Sequence, residues 1–269
     1  MRVLAYHKVT RFELGGTWVP PGRFVRQMDA LLEADFRFID EALFLDALEG
    51  RRKATDREIL LTFDDGYREL LDHAIPALES RQIPALVFLV SAFVGRENTW
   101  DLNLSGRHFR HLGWDEIADL SRRRFSFGSH SRTHRDLTRL SPEAVRDELV
   151  ESKREIEERL AMEVRSLSYP FGRLNDAVRR EAERAGYRAA FTLCPPRKGS
   201  RPDRYALRRE GVYVIDSIRN IKAKLSEGLP FRLEDIKGRM INAVAVLTPL
   251  VRGGSLRVNT TSRRSRRDS

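Results

Sequence analysis

Two rhythms of apolar and polar positions share this chain. Short apolar runs at Val3–Tyr6, Phe36–Ile39, Glu58–Phe63, Ala85–Val90, Phe125–Ser129, Leu167–Tyr169, Arg188–Thr192 and Tyr205–Val214 predict strands. Between them, apolar residues three and four apart predict amphipathic helices. The first opens at Pro20-Pro21-Gly22 and carries Phe24, Met28, Leu31 and Leu32. Others run through Leu43, Leu45 and Leu48 to Gly50, from about Tyr67 to Ser80, and from Trp114 to Arg123. A long helix starts at Ser141-Pro142-Glu143, with Ser as N-cap and Pro at the first helical position, and reaches about Met162. Another ends at Gly186, and Asp216 is expected to cap the last. Residues 92–113 show neither rhythm and read as a rim loop.

Strand and helix alternate, with no internal repeat, which argues for a parallel sheet, either closed as a barrel or doubly wound. The placement of the chemistry decides between them. His7, the pair Asp64-Asp65, His130 and Pro170-Phe171 each stand at the carboxyl end of an expected strand. A closed barrel gathers such ends on one face, where its active sites are built. The expected architecture is an α/β barrel, with residues 1–228 as one domain and 229–269 as an extension ending in a partly disordered basic tail.

Bulk composition is consistent with that. A chain of 269 residues, 41% hydrophobic and 33% charged, can bury a sizeable core. Six Arg and one Asp between Arg252 and Ser269 account for +5 of the net charge of +10. The remainder is only moderately basic, so a dedicated nucleic-acid surface is not expected. Cys194 is the only cysteine, which excludes an intrachain disulfide and a thiolate cluster. No signal-like segment opens the sequence, and Met240–Val251, interrupted by Pro249, falls short of the roughly 20 residues a bilayer span needs. A cytoplasmic protein is therefore expected. Its apolar segment Ile241–Val251 and Arg-rich tail can be read either as a solvated terminus or as a peripheral contact with an anionic membrane.

Candidate chemistry concentrates in two stretches. Leu60-Leu61-Thr62-Phe63-Asp64-Asp65-Gly66-Tyr67 delivers two adjacent carboxylates to a glycine turn, and Gly128-Ser129-His130-Ser131-Arg132-Thr133-His134 offers two imidazoles four residues apart, as on one helical face. One Asp and two His suit a catalytic ion with an open position for water, with the second Asp left beside it as a base. Blander explanations exist for each part: a solvated turn for the Asp pair, a buried His7, and packing for Phe171 and Trp114. His108 and His111 are expected in a solvated loop, and His73 inside a helix. Neither a Gly-x-Ser-x-Gly elbow nor a phosphate loop occurs.

Thr62-Phe63-Asp64-Asp65-Gly66, Ser129-His130-Ser131-Arg132-Thr133-His134 and Tyr169-Pro170-Phe171-Gly172 resemble the first three motifs of the polysaccharide deacetylases of the NodB-homology type, carbohydrate esterase family 4. The resemblance covers roughly residues 2 to 215. It implies a distorted (β/α)7 barrel and the hydrolysis of acetyl groups from sugars. It further implies Asp64 as base, with Asp65, His130 and His134 as ligands of a divalent ion, Zn above others. Phe171 would line the groove with Tyr169, Pro170 and Trp100 and offer an oxyanion N–H. The family's late Leu-x-His motif has no counterpart after His134. Leu4-Ala5-Tyr6-His7 is similar instead to the opening of the branch with circularly permuted motifs, which makes His7 the acid. The third motif's Arg is replaced by Leu167, and Arg209 is the substitute expected to steady Asp64. The substrate implied is an acetylated sugar, glycan or lipid-linked glycan. A hydrolase of another amide, such as a cyclic ureide or imide, or a non-catalytic glycan- or membrane-binding protein would fit the same fold.

Overall fold

The computed structural model describes residues 1–13, 17–99, 109–193 and 203–226. Trp100, His108, Cys194 and the tail from 229 to 269 lie outside them. The strands are β1 (Arg2–Tyr6), β2 (Lys8–Val9), β3 (Trp18–Val19), β4 (Arg37–Ile39), β5 (Glu58–Phe63), β6 (Ala85–Leu89), β7 (Phe125–Ser129), β8 (Ser166–Ser168), β9 (Ala189–Thr192), β10 (Leu207–Arg208) and β11 (Glu210–Gly211). The α-helices are α1 (Pro21–Leu32), α2 (Glu41–Leu48), α3 (Ala74–Glu79), α4 (Trp114–Ser121), α5 (Pro142–Leu160), α6 (Asp176–Arg184) and α7 (Ile218–Leu225).

Every pairing in the main sheet is parallel, and its order is β10-β9-β8-β7-β6-β5-β1-β11. The two ends of this order, β10 and β11, are halves of a single segment, so one stretch of chain joins β9 to β1. That makes a distorted (β/α)7 barrel. A single strand over Tyr205–Val214 was expected. Instead Arg209 divides it, its N–H donating to Thr192 O at 2.9 Å while Val212 N–H turns to Ala5 O at 2.9 Å. Short β4 pairs with the first half of β5, and β6 takes the second half, so β4 wedges the sheet open at its amino end.

Alternation along the strands sorts the core into two compartments. Ile59, Leu61 and Phe63 of β5 face outward with Val87 and Leu89 of β6 and pack beneath the helices. Val3, Leu60, Leu86, Phe88, Ala189 and Phe191 form a second cluster inside the barrel, joined by Ile39 of β4 and by Phe44 and Leu45 of α2. Along β5, Leu60, Thr62 and Asp64 therefore share the inner face, an apolar floor giving way to a polar mouth.

Caps follow the sequence at α5, where Ser141 Oγ accepts from Ala144 N at 3.3 Å, and at α6, which is followed by Gly186 at φ 78°. Two expectations are corrected. The helix expected from Tyr67 to Ser80 is a 3-10 turn at Arg68–Leu70 followed by α3, because the chain must first clear the rim. Asp216 does not cap α7; Ser217 does, while buried Asp216 accepts from Tyr213 N at 2.9 Å and Lys224 Nζ at 2.5 Å. No helix among the described residues is long and apolar enough to cross a membrane.

Candidate metal centre

The expected site residues come from five different strand ends. β5 ends at Phe63, and Asp64 N–H still donates to Tyr6 O at 2.9 Å, so Asp64 keeps strand geometry and points into the mouth. Asp65 cannot follow it. Its φ of 67°, followed by Gly66 at 64°, swings the chain out of the strand and turns the two carboxylates to different tasks. A Cβ at Gly66 would also come within 2.7 Å of the Leu89 side chain, which would have to shift.

Asp65 Oδ1 lies 3.6 Å from His130 Nε2 and 3.4 Å from His134 Nε2. One ligand atom from each residue falls within 4.8 Å of the others, and all three residues are buried. Bonds of about 2.1 Å at tetrahedral angles place ligand atoms roughly 3.4 Å apart, close to these separations. The tautomer agrees. His130 Nδ1 donates to Ser168 O at 2.7 Å, leaving Nε2 with its lone pair toward the centre. Burial lowers the His130 pKa, which favours the neutral ring a metal requires. The donor set therefore fits a divalent ion of the zinc type.

The two imidazoles do not share a helical face as their spacing led us to expect. Residues 130–136 form a loop in which Ser131 (φ 62°) and His134 (φ 58°) are both left-handed. Those turns, rather than helical repetition, bring the rings to a centroid distance of 5.0 Å. His134 also meets the Phe171 ring edge-on at 4.8 Å.

Asp64 stands beside this centre without joining it. Burial would raise its pKa, but Arg209 outweighs that and holds the carboxyl far below the usual range, with His130 and His7 adding to the effect. Arg209 is itself fully buried, donating from Nη1 to Asp64 Oδ1 and from Nη2 to Oδ2, both at 2.7 Å. The same two nitrogens also reach Thr62 Oγ1 at 3.1 Å, from Nη1, and Ser168 Oγ at 2.7 Å, from Nη2. Across from it, His7 Nε2 lies 3.8 Å from Asp64 Oδ2, and burial pushes its imidazole down to about 4.

In the third motif, two of the expected groove residues are buried. The Tyr169 side chain is wholly buried, its hydroxyl donating to Tyr205 O at 2.9 Å, and Pro170 is buried too. Tyr169 packs in the core cluster beneath the helices, and neither side chain is exposed at the mouth. Of these three, Phe171 is the partly exposed one, at φ 58° and ψ 11°. Trp100 lies outside the described residues.

His111 also departs from expectation. It is buried, its Nδ1 lies 2.7 Å from Asp65 O, and its ring stacks on Tyr67 at 5.0 Å. The rim segment is pinned by an antiparallel bridge between Tyr67 and His111, which carries the imidazole behind Asp65 rather than into solvent. Its sequence neighbours Phe109 and Leu112, both buried, were the available signal.

Known proteins agree with this architecture. Residues 51–190 match the polysaccharide deacetylase family model. The protein YxkH of Bacillus subtilis (strain 168) is 25% identical over 207 residues, 77% of this chain and 69% of that protein. A poly-beta-1,6-N-acetyl-D-glucosamine N-deacetylase of Staphylococcus aureus (strain MSSA476) is 23% identical over 177 residues, 65% of this chain and 61% of that one. The structure of IcaB from Ammonifex degensii superposes with a TM-score of 0.70 at 25% identity, over 84% of this chain and 97% of that chain. With the match spanning the Asp pair, both histidines and the Pro-Phe turn, the chain belongs to the polysaccharide deacetylase family.

Proposed function

We propose that this protein is a metal-dependent N-deacetylase acting on N-acetylated sugar residues of a glycan. The observation that carries it is the meeting of Asp65 Oδ1, His130 Nε2 and His134 Nε2 beside a carboxylate that an arginine holds ionised. The names of the Staphylococcus aureus relative and of the family support the substrate class.

Asp65, His130 and His134 would hold the ion, zinc by the chemistry of its donors. When bound, such an ion lowers the pKa of water and polarises the acetamido carbonyl. The residues around it supply the rest. Asp64, kept as the carboxylate, accepts the proton of the attacking water. The amine nitrogen needs a proton as its bond to the acyl carbon breaks, and His7 is placed to give it. With its pKa near 4, His7 rests neutral at neutral pH, so that proton must reach it during the reaction. Asp64 Oδ2, 3.8 Å away, would pass on the proton it takes from the attacking water. The left-handed turn at Phe171 offers a backbone N–H for the developing oxyanion, while its ring walls the site next to His134.

Zinc content and acetate release from N-acetylglucosamine oligomers test this together. Asp65→Ala, His130→Ala and His134→Ala should each lose bound zinc. Asp64→Asn should retain zinc and lose turnover. Full activity in Asp64→Asn removes the base assignment, and a zinc-loaded protein that frees no acetate from any acetylated glycan removes the function.

A further inference from the structure

The loop carrying both proposed imidazole ligands contains two left-handed residues, Ser131 and His134, a conformation that strains the backbone at each non-glycine position. Something outside the loop must hold it. Its own contacts go part of the way. Ser131 Oγ accepts from His134 N at 3.1 Å, and Ser129 Oγ accepts from Ser131 N at 3.2 Å.

The rest comes from α5. Glu148 Oε2 accepts from Arg132 N at 3.0 Å and Thr133 N at 2.8 Å, while Oε1 accepts from the Thr133 hydroxyl. One turn further along the same face, Ser152 Oγ donates to Ser131 O at 3.2 Å and contacts Ser129 Oγ at 2.8 Å. Glu148 is 7% exposed and sits in the buried stripe Val145, Leu149, Ser152, Ile156. A carboxylate there is out of place on packing grounds alone. Here it collects three donors that lie between His130 and His134.

We infer that Glu148 is a positioning residue for the metal centre, fixing the 131–134 loop so that the two imidazoles face one point before any ion arrives. The inference rests on the metal reading of Asp65, His130 and His134. A carboxylate is suited to the task because two parallel backbone N–H groups and a hydroxyl converge on it, and charge-assisted hydrogen bonds are the stronger kind. A ligand loop organised in advance raises metal affinity, since binding no longer has to order it.

The test uses the full chain stripped of metal and titrated with zinc against a chelator, with thermal unfolding of the metal-free protein followed in parallel. Glu148→Ala should weaken zinc binding by roughly 10- to 100-fold. Glu148→Asp keeps the charge and the helix but withdraws the carboxylate by one methylene, and should also weaken it. Glu148→Gln, whose carbonyl can still accept both N–H groups, should recover most of the affinity. Zinc affinity within twofold of the parent in both Ala and Asp variants overturns the inference. So does a fall in the melting temperature of the metal-free variants with zinc affinity unchanged, the mark of a purely structural residue. If Glu148→Ala does not fold, the Asp and Gln pair decides. A parent protein that takes up no zinc removes the metal reading and this inference with it; a parent that binds zinc beside variants that bind equally well removes only this one.

Discussion

Arg209 holds Asp64 by two parallel hydrogen bonds of 2.7 Å each, across 145 residues of sequence, with neither side chain reaching solvent. The same guanidinium touches Ser168 Oγ, and Ser168 O accepts from His130 Nδ1. One residue of β8 thus links the carboxylate proposed as base to an imidazole proposed as ligand. Arg209 occupies this place because the closing strand breaks there, turning its side chain inward over the Phe88 ring at 5.3 Å.

Replacing that fork tests its purpose. Arg209→Lys offers a point charge in place of a planar pair of donors. We expect kcat for acetate release to fall roughly 10- to 100-fold with zinc content unchanged, since Arg209 hydrogen-bonds Asp64, Thr62 and Ser168 and none of the three proposed ligands. Equal loss of zinc would show that the arginine supports the centre as a whole.

His111→Ala should destabilise the fold by about 1–3 kcal/mol, because it leaves the buried Asp65 carbonyl without its partner at 2.7 Å and empties a ring-stacked space. It should also weaken zinc uptake through Asp65. Denaturant unfolding and metal titration of the same preparation measure both effects.

Gly66→Ala is expected to be severe for so small a change. The residue sits at φ 64°, and the new methyl would lie 2.7 Å from Leu89 Cδ2. A loss of more than about 1 kcal/mol is expected. A variant as stable as the parent would show that the turn relaxes, and acetate release would then report whether Asp65 moved with it.

Acid stability has a traceable contributor away from the site. Glu49 is held at about 2, below the ordinary 4.5, chiefly by Arg188, whose Nε and Nη2 donate to it at 2.9 and 2.7 Å. A lowered carboxylate pKa stabilises the fold fully above about 4.5, and the contribution fades as pH falls toward 2. The stability gap between the parent and Glu49→Gln should therefore be open at pH 7 and narrow between pH 4.5 and 2. A gap independent of pH would assign the effect to packing.

Local pattern determined a good deal of this protein. Short apolar runs marked β5 and β7 within a residue of their observed ends, and Ser141-Pro142 and Gly186 marked helix boundaries, because these signals depend only on neighbours in the chain. Asp64, Asp65 and His130 were legible for the same reason, each following the end of an apolar run, and His134 was legible from its spacing to His130 and from the motif they share. What the chain could not announce was set by contacts between distant segments. The left-handed turns at Asp65, Ser131 and His134, the break at Arg209, the burial of Tyr169 and the place of His111 behind Asp65 all depend on what another strand or helix presents to them. Sequence periodicity records which face of an element is apolar; only the closed barrel decides which polar group meets which inside it.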